Sequence, residues 1–165
     1  MAAESTFDIV SEFDYQELVN AVDQTQREVR TRYDLKDSNT TLELSEKELV
    51  LTSDGELHLG NVRDILETKA LRRNLSLKIF DYGPIEEVSG GHVRQVVTLK
   101  QGISTELAKK IQKQIRDQFP KVQPRIQGDT VRVGSKSKDE LQNVIQFLRE
   151  HVDDFPVPLQ FINYR

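Results

Sequence analysis

Arg125 and Arg132 stand on either side of a Gly128-Asp129 turn, in two short runs where apolar and polar residues alternate. Side chains alternate along a strand, so Val122, Ile126, Val131 and Val133 share one face. Gln123, Arg125, Gln127, Thr130 and Arg132 share the other. Guanidinium groups pair with phosphates, and carboxamides pair with base edges. Such a face could hold a phosphate-bearing ligand. An ordinary solvated sheet surface, or a face covered by another part of the chain, would carry the same pattern.

A second cluster follows at once. Gly134-Ser135-Lys136-Ser137-Lys138 lies between a strand and a helix whose start is marked by the capping box Ser137-Lys138-Asp139-Glu140. Backbone N–H groups at a helix start attract anions, and Lys136 adds charge. The Gly-x4-Gly-Lys-Ser/Thr phosphate loop is absent. A third cluster, Lys109, Lys113 and Arg116, shares one helical face. Runs of this kind are usually the solvated side of a helix.

Catalytic arrangements are missing. His58, His92 and His151 are far apart and lack metal-ligand spacing. No serine occupies a Gly-x-Ser-x-Gly turn. No carboxylate sits in an apolar run that would raise its pKa. The chain has no cysteine, which removes disulfides, zinc thiolates and thiol nucleophiles. These features predict a binding protein rather than an enzyme, with no cofactor.

The elements that must position these residues repeat once along 165 residues. Strand Phe7 to Phe13 leads through the Asp14-x-x-Glu17 box into a helix with Leu18, Val22, Thr25, Val29 and Tyr33 on one face. Two short strands follow, Thr41 to Leu44 and Glu48 to Thr52. A helix with Val62, Ile65, Leu66 and Ala70 and a strand from Leu77 to Tyr82 complete the first set. Gly83 to Gly91, rich in Gly and Pro, reads as a linker. The order then restarts with strand Val93 to Lys100 and a helix capped by Ser104. Next come the hairpin around Gly128-Asp129, a helix with Leu141, Val144, Ile145, Leu148 and Val152, and a strand from Phe155 to Tyr164. Each βαββαβ set specifies a ferredoxin-like α+β domain: a four-stranded antiparallel sheet, two helices on one face, the other face open. RNA-recognition modules of this topology stack bases on aromatics of the central strands. Here Phe7, Phe161 and Tyr164 are confined to the terminal strands.

Charge is uneven along the chain. Residues 1–92 carry 10 Lys+Arg and 19 Asp+Glu, and residues 93–152 carry 12 and 6. The second half is thus the part expected to attract anions. The N-terminus lacks a basic and apolar leader, and no apolar run is long enough to span a bilayer. Both features predict a cytoplasmic location away from membranes.

Several blocks resemble the YajQ family of bacterial nucleotide-binding proteins. They are Phe7-Asp8-Ile9-Val10-Ser11-Glu12, Leu99-Lys100-Gln101-Gly102-Ile103, Ile126-Gln127-Gly128-Asp129-x-Val131-Arg132-Val133, Lys136-Ser137-Lys138-Asp139-Glu140-Leu141-Gln142 and Gln160-Phe161-x-Asn163-Tyr164-Arg165. The resemblance implies two tandem ferredoxin-like domains with their N-terminal strands exchanged. One domain would be 15–100, with strand 93–100 exchanged in. The other would be 1–14 plus 101–165, with strand 7–13 exchanged in. It also implies nucleotide binding without catalysis, the ligand being cyclic di-GMP or a purine nucleotide. Signalling would pass through a partner such as a transcription regulator. Binding of tRNA or other RNA by the basic half is the competing expectation, and an adaptor without nucleotide a third. The expected ligand-binding set is Asp8, Lys100, Gln123, Arg125, Gln127, Arg132, Lys136 and Ser137. In it Arg125, Arg132 and Lys136 would take phosphates, and Asp8 or Gln127 a guanine edge.

Overall fold

A computed structural model describes residues 3–165. Met1 and Ala2, where the stretch read against a leader begins, lie outside the described residues. Twelve main elements follow one another: β1 (Ser5–Val10), α1 (Tyr15–Thr31), β2 (Thr41–Leu44), β3 (Glu48–Ser53), α2 (Glu56–Arg72), β4 (Phe80–Val88), β5 (His92–Leu99), α3 (Thr105–Gln118), β6 (Gln123–Gln127), β7 (Thr130–Ser135), α4 (Lys138–Glu150) and β8 (Gln160–Ile162).

The strands form two four-stranded sheets, ordered β6-β7-β1-β8 and β2-β3-β5-β4, with every neighbour antiparallel. Each order is that of a ferredoxin-like domain. In each, one interior strand comes from the other half of the sequence. β1 precedes α1 yet pairs with β7 and β8. β5 precedes α3 yet pairs with β3 and β4. The chain divides accordingly into two compact units. One comprises the segment ending at Glu12 together with Gln101–Arg165, the other Phe13–Lys100.

Burial explains why the exchanged strands belong where they are. Phe7 and Ile9 of β1 are fully buried with Leu107, Ile111 and Ile115 of α3 and Val144 and Leu148 of α4. In the other unit Val93, Val97 and Leu99 of β5 join Leu49, Leu51, Leu59 and Leu66. An interior strand fills hydrogen-bonding positions on both sides, so neither sheet closes without the strand it borrows. Each fully buried Phe or Ile contributes on the order of 1.5–3 kcal/mol.

Helix starts follow the sequence signals. Asp14 accepts from the N–H groups of Gln16 and Glu17, Ser104 from Leu107, and Ser137 from Glu140. Gly102, just before α3, has φ +84° and lies against the Asp129 side chain of the β6–β7 turn. Its N–H bonds to Ser11 O at 2.7 Å.

Several expectations are corrected. α1 ends at Thr31, so Tyr33 falls beyond it and is 89% exposed. Residues 77–79 form a 3-10 turn rather than a strand. The expected linker Gly83 to Gly91 is mostly strand: β4 runs to Val88, with a register shift between Tyr82 and Ile85 around Gly83-Pro84. Edge position lets β4 tolerate the proline that made this stretch read as a linker. The closing strand is only Gln160–Ile162, and Val152 sits half exposed in a short 3-10 turn after α4.

Candidate functional site

Pairing register sets the face of the β6-β7-β1-β8 sheet that lies opposite its helix-packed core. Arg125 faces Arg132, Arg132 faces Asp8, and Asp8 faces Ile162. These four residues form one row across the sheet. Gln123 and Gln127 sit two residues to either side of Arg125 on β6 and are exposed.

The row is bound by ion pairs. Arg132 Nε donates to Asp8 Oδ1 at 2.9 Å and its Nη2 donates to Oδ2 at 3.3 Å. Asn163 Nδ2 donates to the same Oδ2 at 2.9 Å. Asn163 adopts φ +57°, a left-handed conformation that asparagine tolerates. Asp8 is buried, while Arg132 stays partly open to solvent. The Arg132 hydrogen bonds hold the Asp8 carboxyl below the usual carboxylate range; burial opposes that shift, and Asn163 reinforces it. The same pairing raises the Arg132 guanidinium. Both Asp8 oxygens are therefore already engaged by this unit's own donors.

Arg125 is held more loosely. Its Nη1 lies 3.2 Å from Glu4 Oε1, and its Nη2 donates to Gln123 Oε1 at 2.9 Å. The Glu4 side chain reaches it by crossing Gly134, where any Cβ would collide with it. Both sequence-predicted arginines thus meet acids from the N-terminal segment. Neither Glu4 nor Asn163 was singled out from sequence. A glycine in β7 directly beside the arginine row was the available signal.

The exchanged strand also changes the charge of the unit. The unit containing the arginines holds 11 Lys+Arg and 11 Asp+Glu, and the other unit 12 and 16. The linear excess of +6 over residues 93–152 therefore does not survive folding: the N-terminal segment and the tail supply the missing acids.

Lys136 and Ser137 occupy the turn from β7 to α4. Lys136 is exposed; Ser137 spends its hydroxyl on the Glu140 N–H, and its own N–H donates to Ser135 Oγ at 3.1 Å. Lys100 follows β5 and belongs to the other unit, so the eight predicted residues are not all in one body.

A groove of about 290 Å³ opens beside this turn. Lys138, Leu141 and Gln142 of α4 form one wall, and Ser5 and Thr6 of β1 meet Tyr164 and Arg165 on the other. Thr6 and Arg165 exchange two backbone hydrogen bonds of 3.0 Å each. The Tyr164 ring stacks on buried Phe7 at 6.2 Å and 30°, yet remains 57% exposed. Among the described residues no helix is long and apolar enough to cross a membrane.

Comparison with known proteins finds relatives along the whole chain. Residues 5–165 match the family described as "Nucleotide-binding protein YajQ-like". A relative named nucleotide-binding protein from Roseiflexus sp. (strain RS-1) is 67% identical over 165 residues, covering all of both chains. A namesake from Chloroflexus aggregans is 68% identical over the same full length. One from Synechococcus elongatus is 61% identical, again over the whole of both chains. The chain belongs to the YajQ-like family of nucleotide-binding proteins.

Proposed function

We propose that this chain is a non-catalytic, cytoplasmic effector that binds a purine nucleotide or cyclic dinucleotide on its arginine-bearing sheet face and acts through a partner. The observation that carries the reading is Arg125. Its side chain is 49% exposed, and its acidic partner Glu4 is 35% exposed. Exposed ion pairs contribute only ~0–1 kcal/mol. A phosphate, with more charge and more acceptor oxygens than a carboxylate, can take the place of Glu4 at little cost. Gln123 and Gln127 stand beside Arg125 with carboxamides suited to base edges. Arg132 stays locked to Asp8 and fixes the row, and Lys136 and Ser137 stand further along, on the turn that follows β7. The relatives' names support a nucleotide as ligand.

A unit with equal numbers of acids and bases suits a ligand with one or two phosphates better than a long RNA backbone. The test is Arg125→Glu. Affinity for cyclic di-GMP or GTP should fall several-fold, and an unchanged affinity would place the site elsewhere.

A further inference from the structure

We infer that the groove between β1, α4 and the C-terminal residues is a second ligand site, separate from the sheet face, for a single aromatic base carrying a phosphate, the nucleoside monophosphate class. The groove has the features such a ligand needs. Tyr164 offers a platform: its ring packs in an offset stack on fully buried Phe7, at 6.2 Å and 30°, while the residue stays 57% exposed. A ring fixed in this way can stack a base without first losing rotational freedom. Leu141 supplies apolar lining next to it.

The rim is cationic. Lys138, Leu141 and Gln142 have spacings of three and four along α4 and so share one face of the helix. That face brings a cation, an aliphatic group and a carboxamide to the groove. Arg165 also lines the groove, its backbone fixed by the paired hydrogen bonds to Thr6, and its charge also helps to hold the Asp8 carboxyl low. Among the described residues that line it there is no acidic side chain. This contrasts with the sheet face, where Glu4 and Asp8 already occupy the arginines. A volume of about 290 Å³ is at the small end of ligand sites, which run from roughly 300 Å³ upward. It suits one base with its sugar, not two.

The experiment titrates the full chain with GMP, with ribose 5-phosphate as the base-free probe, in an Arg125→Glu background that disables the sheet face. GMP should still bind saturably. Tyr164→Ala should weaken it about tenfold or more, since base–aromatic stacking accounts for a change of that size. Tyr164→Phe should restore it, and ribose 5-phosphate should not respond to either change. Lys138→Glu should weaken both probes. Loss of all GMP binding in the Arg125→Glu background overturns the inference, as does GMP binding indifferent to both Tyr164→Ala and Lys138→Glu. Circular dichroism of each variant separates unfolding from loss of contact. Failure of the sheet-face reading shows itself independently, as a wild-type cyclic di-GMP affinity that Arg125→Glu leaves unchanged.

Discussion

Asp8 and Arg132 are 124 residues apart in sequence and bonded twice across β1 and β7, at 2.9 and 3.3 Å. The contact ties the exchanged strand to the sheet that receives it. Asp8→Asn keeps the shape but loses the charge-assisted bonds, so it should lower unfolding free energy by about 1–3 kcal/mol. Urea denaturation at neutral pH measures this. Arg132→Ala should also destabilise, because it leaves a buried carboxylate without its guanidinium.

The same pair gives stability a pH dependence of known sign. The Asp8 carboxyl titrates lower in the folded chain than its ordinary value of 3.8, chiefly through Arg132. Its contribution is therefore complete above about pH 3.8 and is lost as pH falls toward the folded-state value. As pH falls below about 4 the wild type should lose more stability than Asp8→Asn. Parallel curves for the two proteins would show that the pair contributes nothing in acid.

Glu4 acts as the competitor of any anion at Arg125. Glu4→Gln should raise affinity for phosphate-bearing ligands by a few-fold, with a stability change below about 1 kcal/mol. Gly134→Ala should have the same effect on binding, because its methyl group displaces the Glu4 side chain. Calorimetry of the two variants against GTP checks both expectations.

Gly102 has a left-handed backbone and faces Asp129. Gly102→Ala should destabilise by about 1–2 kcal/mol from backbone strain alone. The crowding against Asp129 adds to this. Thermal unfolding measures the loss.

A ligand with one or two phosphates should show shallow salt dependence. The slope of log affinity against log salt should be no steeper than about −2. A much steeper slope with tRNA, together with tighter binding, would favour the RNA reading.

The fold was legible because local signals agreed with it. Asp14, Ser104 and Ser137 cap helices as their spacing indicates, and the alternation in 122–133 places Val131 and Val133 inside and Arg125 and Arg132 outside. The exchange was not legible from periodicity, since Phe7 and Ile9 would suit either sheet equally well; only the family resemblance implied it. The site was half legible. Arg125, Arg132 and their amide neighbours share a face as alternation requires. Their neutralisation by Glu4 and Asp8 depends on which sheet β1 joins, and no residue pattern records that. Tyr33 misled because its spacing fits α1 after the helix has already ended. Tyr164 gained its platform only once the chain turned at Asn163 and laid the ring on Phe7.

The most direct test is calorimetric titration of the full chain with cyclic di-GMP, GTP and ATP, comparing wild type with Arg125→Glu at two salt concentrations. Saturable binding of at least one ligand, weakened several-fold by the charge reversal and only mildly by salt, is the expected result. Absence of heat with every ligand, or identical affinities for the two proteins, would contradict the account.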